Sequence, residues 1–278
     1  MSDKPTYAQE ILDLINSSTW NTRFEILPGL FTPGLLPVNA KALFNKHKIP
    51  EDLQGLKALD IGTFDGAVAF ELERRGADVY AMDIQDPDQT GFNTAKTILN
   101  SAVQYQRNTV YNLLEMYGSE FFDFVVFKGV YYHLKHPLRA IEAVRDVLKL
   151  NGMALIAGEI LLSYAVDEDG KQVSQEIVTS WAESKVPLSV IYPGVTPGRS
   201  GTTTWFVPNL ACLRSWFNAT GLEIMDHHIF HNANSTPPQQ RFTGKLKRTG
   251  DSIIEHPIMV KGWPKARQAE VKPRGDST

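Results

Sequence analysis

Cysteine is nearly absent from this sequence of 278 residues, which contains only Cys212. A single thiol excludes a disulfide framework within the chain, and it excludes a metal site built from several cysteines. Cys212 itself is expected to be a small buried residue rather than a reactive thiol.

A strong charge of one sign and a long apolar run are missing as well. The net charge is −3, so the sequence lacks the basic footprint of a dedicated nucleic-acid-binding protein, although a local basic patch is compatible with it. No uncharged apolar run reaches about 18 residues, and no membrane span is expected. Residues 1–10 are polar, which predicts no signal peptide there. The default expectation is a cytoplasmic protein.

What is present is a regular alternation of short apolar strands and amphipathic helices. This order predicts βαβ units and a mostly parallel sheet, hence an α/β fold. Strands are predicted at 57–62, 78–84, within 103–113, and at 122–128, 152–160 and 222–230. Helices are predicted at 67–75, 91–100, 137–150 and 209–219.

The segments outside this alternation suggest additions to one domain. Residues 1–45 are predicted to form a cap with a helix at 6–16 and an extended part at 20–37, and residues 46–278 to form the domain proper. Residues 161–206 break the pattern, which is typical of a functional insertion or lid. The tail from residue 232 shows no clear periodicity until 252–260.

A glycine-containing turn follows the first strand of the domain, in residues 59–66 (LDIGTFDG). Phe64 and Ala67 stand where the dinucleotide fingerprint Gly-x-Gly-x-x-Gly needs glycine, which argues against a dinucleotide. Gly62 and Gly66 instead fit a Gly-x-Gly-x-Gly turn with Phe64 at the middle position. Gly62 allows close approach of a ligand, and free amides at the start of the following helix are expected beside it. The alternative is an ordinary strand-to-helix turn.

An acidic residue ends the second strand of the domain. Asp83 lies 21 positions after Gly62, where a carboxylate can accept protons from both hydroxyls of a ribose. It is otherwise a solvated loop acid. Asn112 and Leu113 follow the third strand, in a position to flank an adenine.

Residues 127–138 (FKGVYYHLKHPL) are similar to a Gly-Val-x-Tyr-His-x-x-x-Pro-Leu segment of the CmoB-like family. Together with the glycine turn, Asp83 and the Leu-Lys-Leu-Asn-Gly turn at 148–152, they make the chain resemble a class I methyltransferase dependent on S-adenosylmethionine (SAM). The resemblance implies a Rossmann-like fold, with a seven-stranded, mostly parallel sheet and helices on both faces. It also implies SAM as cofactor. The single cysteine excludes a methyltransferase of the arsenic or thiol type that needs several.

The expected cofactor site combines the turn residues with positions that match the family. Gly62, Asp83, Ile84, Leu113, Lys128 and Tyr132 match cofactor-contacting positions of the family. The complete expected set is Asp60, Gly62, Thr63, Phe64, Asp65, Gly66, Asp83, Ile84, Asn112, Leu113, Lys128 and Gly129.

The namesake of the CmoB-like family carboxymethylates the wobble uridine of tRNA with carboxy-SAM. Arg267 matches the family's C-terminal arginine, which meets the donor carboxylate, but the family's N-terminal lysines have no counterpart here. The interpretation is therefore a relative that uses ordinary SAM.

Two residues of the CmoB-like segment are candidates for the chemistry. His133 follows the fourth strand at the expected mouth of the crevice, and imidazole titrates near neutral pH, so it is a candidate base. It is alternatively a structural or helix-capping histidine. Tyr132 is expected to hydrogen-bond the cofactor or acceptor, or else to be a packed aromatic residue.

Residues near the predicted mouth are candidates for binding the acceptor. Glu159 ends the fifth strand and would bind a cation or act as a base, unless it is a simple strand-end acid. The others lie in the cap or the insertion, where the alternative for the insertion is a small satellite core. These candidates are Trp20, Arg23, Tyr192, Arg199 and Trp205.

Three histidines, His227, His228 and His231, lie close together near the sixth predicted strand. Side chains alternate along a strand, so His227 and His228 are expected on opposite faces. No acid can be placed beside them from the sequence, and no metal site is expected.

Three functions remain open. The leading one is a small-molecule methyltransferase acting on O, N or C. The second is a tRNA wobble-uridine enzyme, which a basic stripe across the mouth would favour. The third is a non-catalytic SAM-binding protein. The sequence specifies neither the acceptor nor the oligomeric state.

Overall fold

The computed structural model describes residues 7–192, 204–232 and 239–250. The helices in these ranges are α1 Gln9–Ser17, α2 Ala40–Lys46, α3 Ala67–Arg74, α4 Phe92–Leu99, α5 Leu113–Tyr117, α6 Pro137–Val147, α7 Gln175–Glu183 and α8 Leu210–Ala219, with 3₁₀ turns at Val110–Asn112 and Tyr131–His133. The strands are β1 Thr22–Arg23, β2 Glu25–Leu27, β3 Leu30–Phe31, β4 Leu36–Pro37, β5 Lys57–Ile61, β6 Asp78–Asp83, β7 Gln104–Arg107, β8 Phe122–Lys128, β9 Leu148–Glu159, β10 Ser189–Ile191, β11 Phe206–Pro208, β12 Leu222–Asn232 and β13 Gln239–Arg248.

Seven of these strands form one sheet in the order β12-β13-β9-β8-β5-β6-β7. The strands from β7 to β9 run parallel, and β13 is antiparallel to both β9 and β12. This confirms the predicted Rossmann-like α/β fold. Because β5 and β8 are the switch point where the strand order reverses, the ligand crevice belongs at their carboxyl ends.

The central strands are apolar because helices cover both faces of the sheet. Side chains alternate along β5, so Leu59 packs into a core cluster that contains Phe127 and Phe217, whereas Ala58 packs into a second cluster that contains Leu72. The sheet therefore fixes the positions of its strand ends from both sides, which is what a site at those ends requires.

Several elements differ from the sequence prediction, which also named no helix or strand for α7, β10 and β11. Residues 148–150 were predicted at the end of a helix but begin β9, where Leu148 pairs with Phe122 of β8. The helix α5 was not predicted. Nor was β13, whose polar and charged residues alternate with Phe242 and Leu246 in a segment that appeared aperiodic.

The cap is attached to the domain through a shared core. The helix α2 runs across the predicted boundary at residues 45 and 46, and its Phe44 is fully buried, with its ring centroid 6.2 Å from that of Phe124 on β8. The proposed cap and domain are thus continuous at this point.

The insertion contains α7 and the antiparallel pair of β10 and β11. It has a small apolar cluster of its own, which includes Leu161, Val178, Tyr192 and Val207. This cluster is the satellite core that was the alternative to an acceptor-binding role for its aromatic residues. Within the described ranges, the helices are all too short or too polar to cross a bilayer.

Candidate active site

The turn after β5 has the backbone shape that its glycines predict. Gly62 has φ +76°, and a Cβ there would lie 2.4 Å from Cγ2 of Val130. Phe64 has φ +51°, in the left-handed region that costs an ordinary residue roughly 1–2 kcal/mol. Phe64 therefore occupies the middle position of the turn in the conformation that glycine adopts more easily.

The amides of this turn are engaged within the protein. Gly62 N and Thr63 N donate to the carbonyl of Met82, at 2.8 and 3.2 Å, and Phe64 N donates to Asp83 Oδ2 at 3.0 Å. These three amides are engaged because β6 ends directly alongside the turn, where the Met82 carbonyl and the Asp83 carboxylate accept from them. The predicted free amides belong to the start of α3, at Ala67.

Asp83 lies at the end of β6, as predicted, and is 8% exposed. Its Oδ1 accepts from Gln85 N at 3.0 Å, while its Oδ2 accepts from Phe64 N. Because a carboxylate oxygen has two lone-pair sites, each oxygen retains capacity for one ribose hydroxyl. The neighbouring Ile84 is 66% exposed, which places an apolar surface beside this carboxylate.

A second carboxylate, Asp60, lies under the turn on β5. Its Oδ2 is buried and has no hydrogen-bond partner among the described residues. Burial raises the pKa of Asp60 to about 7, although the Thr63 side chain and the positive charge of Lys128 oppose the rise. Burial also lowers the pKa of Lys128, and the charge of Arg241 adds to that effect. A carboxylate with one oxygen left without a partner fits a cofactor with positive charges, such as the ammonium and sulfonium groups of SAM.

Two of the predicted cofactor residues, Asp65 and Leu113, are buried in contacts within the protein. Asp65 is fully buried, and its carboxylate accepts from Asn21 N, Thr22 N, Thr22 Oγ1 and Gly91 N. It therefore fastens the cap to the turn, and its oxygens are occupied by these donors. Leu113 is also fully buried in the core, because α5 begins there and turns its side chain inward. The sequence predicts neither α5 nor the contacts of the cap with the turn, so it does not reveal the positions of these two side chains.

The other predicted cofactor residues lie along the same crevice edge. Asn112, in the 3₁₀ turn before α5, donates from Nδ2 to Asn108 Oδ1 at 2.8 Å. Gly66 has φ +89° and precedes α3, and Gly129 has φ +79° directly after Lys128. The carboxyl ends of β5, β6 and β8 thus bring together most of the predicted set.

The candidate catalytic residues lie on the 3₁₀ turn Tyr131–His133 after β8. The rings of Tyr132 and His133 have centroids 4.1 Å apart, and His133 is partly buried. Tyr131 donates its hydroxyl to the carbonyl of Glu159 at 2.6 Å, which ties the turn to the end of β9. Tyr132 hydrogen-bonds Arg241 of β13. The turn is therefore held by two neighbouring strands.

Arg241 is the residue of this site that the sequence prediction missed. Burial works against its charge, but Tyr132 and Glu159 outweigh burial and raise the pKa of the guanidinium. Arg241 pairs with Glu159 across β13 and β9. The signal that would have found it is the period-2 alternation of Phe242, Gly244 and Leu246, which predicts a strand.

The predicted acceptor residues divide into four groups. Glu159 and Trp205 lie beside the turn Tyr131–His133, since Tyr131 donates to the Glu159 carbonyl and Trp205 N donates to the Tyr132 carbonyl at 2.7 Å. Lys135 Nζ lies 4.8 Å from the Trp205 ring centroid. Tyr192 is buried in the satellite core, where its hydroxyl accepts from Val166 N. It is not at a ligand surface.

The cap candidates are also separated. Trp20 packs its ring against Gly91 and donates from Nε1 to the Ile15 carbonyl, so its ring lies between the cap and the start of α4. Arg23 is exposed, with its guanidinium 4.8 Å from the Phe31 ring centroid. Arg199 and Arg267 lie outside the described residues.

Comparison with known proteins decides the family. A family profile described as a methyltransferase domain matches residues 59–156. The tRNA U34 carboxymethyltransferase of Campylobacter hominis is 34% identical over 235 residues, covering 82% of this chain and 73% of that protein. The chain belongs to the class I SAM-dependent methyltransferases. It is a homologue of the tRNA U34 carboxymethyltransferases.

Other matches to this methyltransferase are shorter or more distant. The tRNA U34 carboxymethyltransferase of Helicobacter pylori strain G27 is 26% identical over 50% of this chain, and the match spans 43% of that protein. The Burkholderia thailandensis 1,6-didemethyltoxoflavin-N1-methyltransferase, solved with its substrate and S-adenosylhomocysteine, has a TM-score of 0.52. It is 13% identical, with 76% of each chain covered. At that identity the likeness shows the fold.

Proposed function

We propose that this SAM-dependent methyltransferase transfers a methyl group to an O, N or C atom of a small molecule. The observation that carries the proposal is the contact between the insertion and the catalytic turn. Trp205 N donates to the Tyr132 carbonyl, and Tyr192 N donates in turn to the Trp205 carbonyl at 3.0 Å. A segment with its own core is thereby fixed next to His133, where it can enclose a small acceptor and exclude water.

The charges around the crevice support a small acceptor over a nucleic-acid backbone. Lys128 and Arg241 lie beside Asp60 and Glu159, and these acids offset their charge. Nucleic-acid binding relies on cations that are free to neutralise phosphates. The two cations of this site instead lie within the electrostatic influence of acids at the strand ends.

The protein's contribution to the reaction is positioning, water exclusion and proton removal. When bound, SAM supplies an electrophilic methyl group on a sulfonium. Asp83 would hold the ribose hydroxyls, and Asp60 would meet the positive end of the methionine portion. His133 would accept a proton from a hydroxyl or ammonium acceptor as the methyl group is transferred. Tyr132 would orient the acceptor, and Arg241 would hold the Tyr132 hydroxyl in place through a hydrogen bond.

The test combines calorimetry with a product assay. SAM binding is measured first by calorimetry, and then S-adenosylhomocysteine release is measured with a panel of small hydroxyl, amine and carbon acids and with unmodified tRNA. The proposal expects release with at least one small acceptor and none above background with tRNA. Release with tRNA alone, in protein that binds SAM, would overturn it.

A second candidate function is carboxymethyl transfer to the tRNA wobble uridine, and one observation favours it. Arg241 places a guanidinium next to Tyr132, in a position to bind the carboxylate of carboxy-SAM as an arginine does in the CmoB-like family. Arg241 is thus a candidate for the role that the sequence suggested for Arg267.

Donor preference distinguishes the two functions. The affinities of SAM and carboxy-SAM are compared in the wild type and in Arg241→Lys, which keeps the charge facing Glu159 but loses the planar fork. Carboxymethyl transfer predicts tighter binding of carboxy-SAM that is lost in this variant, whereas methyl transfer predicts no such preference. Arg214→Lys, at an exposed position on α8, is the matched control.

A further inference from the structure

A cluster of two histidines and an aspartate lies on the sheet outside the residues assigned to cofactor and catalysis. It contains His47, at the C-terminal end of α2, and Asp226 and His228 of β12. One potential ligand atom from each residue lies within 4.8 Å of the others. The sequence suggested His227, His228 and His231 as neighbours and gave no acid for them, whereas the fold supplies Asp226 and the distant His47.

The strand geometry of β12 explains why these two residues are brought together. A register irregularity between Ile224 and Asp226 precedes the segment, after which Asp226 pairs with Lys245 and His228 with Thr243. Residues two apart on a strand share a face. His227 points to the other face, where its ring stacks on Phe242 with centroids 5.8 Å apart.

The contacts of His47 prepare it as a metal ligand. Its ring is completely buried, its Nε2 lies 2.9 Å from Thr243 Oγ1, and its Nδ1 lies 2.5 Å from Asp226 Oδ1. At 2.5 Å from the Asp226 carboxylate, Nδ1 carries the ring proton in the metal-free protein. An ion bound to Nδ1 would move that proton to Nε2, which would then donate to Thr243 Oγ1.

We propose that His47, Asp226 and His228 form a binding site for a divalent transition-metal ion, with Zn²⁺ as the representative ion. Two imidazoles and a carboxylate are a ligand set for such ions, and three protein ligands leave a position for water or an oxygen of a bound molecule. Bonds of about 2.0–2.2 Å hold neighbouring ligand atoms about 3.3 Å apart. His47 and Asp226 therefore separate by about 1 Å when the ion enters.

Lys245 places a positive charge beside the proposed cation site. Its Nζ lies 3.3 Å from Asp226 Oδ2 and donates to the His47 carbonyl at 2.9 Å. Lys245 thus contacts Oδ2 of Asp226, whereas Oδ1 of Asp226 faces His47. Lys245 is thus placed to orient the carboxylate, as outer-shell partners of metal ligands do.

The site lies on the face of the sheet that bears Arg241. Thr243 and Arg241 are two residues apart on β13, so their side chains share a face of the sheet, and Arg241 contacts the catalytic Tyr132. Two residues along a strand are about 7 Å apart. The residue that contacts His47 Nε2 is therefore one step along β13 from the residue that contacts Tyr132.

The experiment titrates the full-length protein, first freed of metal with a chelator, with Zn²⁺ by calorimetry and with Co²⁺ by visible absorption. The variants are His228→Ala and Asp226→Asn, and the control is His231→Ala, an exposed histidine of the same strand that contacts Ser163. SAM binding by each variant verifies that it is folded.

We expect one equivalent of each ion in the wild type and in His231→Ala, and an affinity at least about tenfold weaker in the two site variants. Co²⁺ should give a ligand-field spectrum that His228→Ala changes. The proposal is overturned if the folded wild type binds neither ion. It is equally overturned if His228→Ala and Asp226→Asn bind with the affinity and spectrum of the wild type, because the ligands then lie elsewhere.

Discussion

The carboxylate of Asp83 accepts a hydrogen bond from the amide of Phe64 across 3.0 Å. This contact joins the end of β6 to the middle of the turn after β5, where Phe64 has a left-handed backbone. The acid expected to hold a ribose thus also stabilises the turn that shapes the cofactor crevice, and the two roles must be separated by experiment.

The first prediction separates them by two substitutions of Asp83. Asp83→Ala removes both roles and should abolish SAM binding. Asp83→Asn keeps an oxygen that can accept from Phe64 N but loses the charge, and it should bind SAM about 10–100-fold more weakly, as expected for one hydrogen bond to a charged group. Calorimetry measures both. Asp78→Asn, an exposed acid at the start of β6, is the control, and wild-type affinity in Asp83→Ala would refute the ribose assignment.

The second prediction concerns pH and Asp60. Its pKa is about 7 in the folded protein against an ordinary value of 3.8, so the folded chain holds a proton that the unfolded chain loses. The free energy of unfolding should therefore fall as pH rises from about 4 to about 7. Asp60→Asn should flatten this fall and raise the melting temperature of the ligand-free protein at pH 8, while weakening SAM binding. Melting curves of wild type and variant that stay parallel from pH 5 to pH 8 would contradict it.

The third prediction concerns the close contact between Gly62 and Val130. Gly62→Ala places a methyl group 2.4 Å from Val130 Cγ2 at a positive φ, which should cost roughly 1–3 kcal/mol of stability. Val130→Ala removes the clash but not the backbone strain. The double variant should therefore recover part of the stability lost by Gly62→Ala, measured by urea unfolding. Additive losses in the double variant would show that the clash is not the cause.

The fourth prediction concerns the attachment of the cap. Asp65→Ala removes the acceptor of four hydrogen bonds from Asn21, Thr22 and Gly91. Amide hydrogen exchange across residues 20–37 should accelerate, because the buried donors lose their partner. Thr22→Val removes one of the four bonds and should have a smaller effect. Equal protection of this segment in Asp65→Ala and the wild type would exclude the anchoring role.

The fifth prediction concerns the proposed base. His133→Ala should leave SAM affinity unchanged and lower turnover about 10²–10⁴-fold with an acceptor that must lose a proton. The measurement is S-adenosylhomocysteine release alongside calorimetry. His136→Ala is the control, because this exposed histidine precedes α6 and donates to Tyr111 through its backbone. Unchanged turnover in His133→Ala would assign the residue a structural role.

Local sequence signals predicted the parts of this molecule that depend on short stretches of chain. The apolar runs of β5 and β8 and the spacing from Gly62 to Asp83 predicted the sheet and its crevice, because strand order and strand ends follow from the βαβ alternation. By contrast, β13 was missed because polar and charged residues alternate with its buried residues Phe242 and Leu246. The apolar residues of the strand are therefore too few to stand out in the sequence.

The sequence by itself determined the fold class, the turn at Gly62 and the placement of Asp83, Tyr132 and His133 at strand ends, since each follows from residues close together in the chain. Only the tertiary structure decided which donors Asp65 and Asp83 meet, that Arg241 reaches Tyr132, and that His47 lies beside Asp226. Apart from the local bond from Gln85 N to Asp83, those contacts join residues separated by 19 to 179 positions. These contacts form when the cap and the antiparallel strands pack against the rest of the sheet. The periodicity of the sequence does not predict that packing.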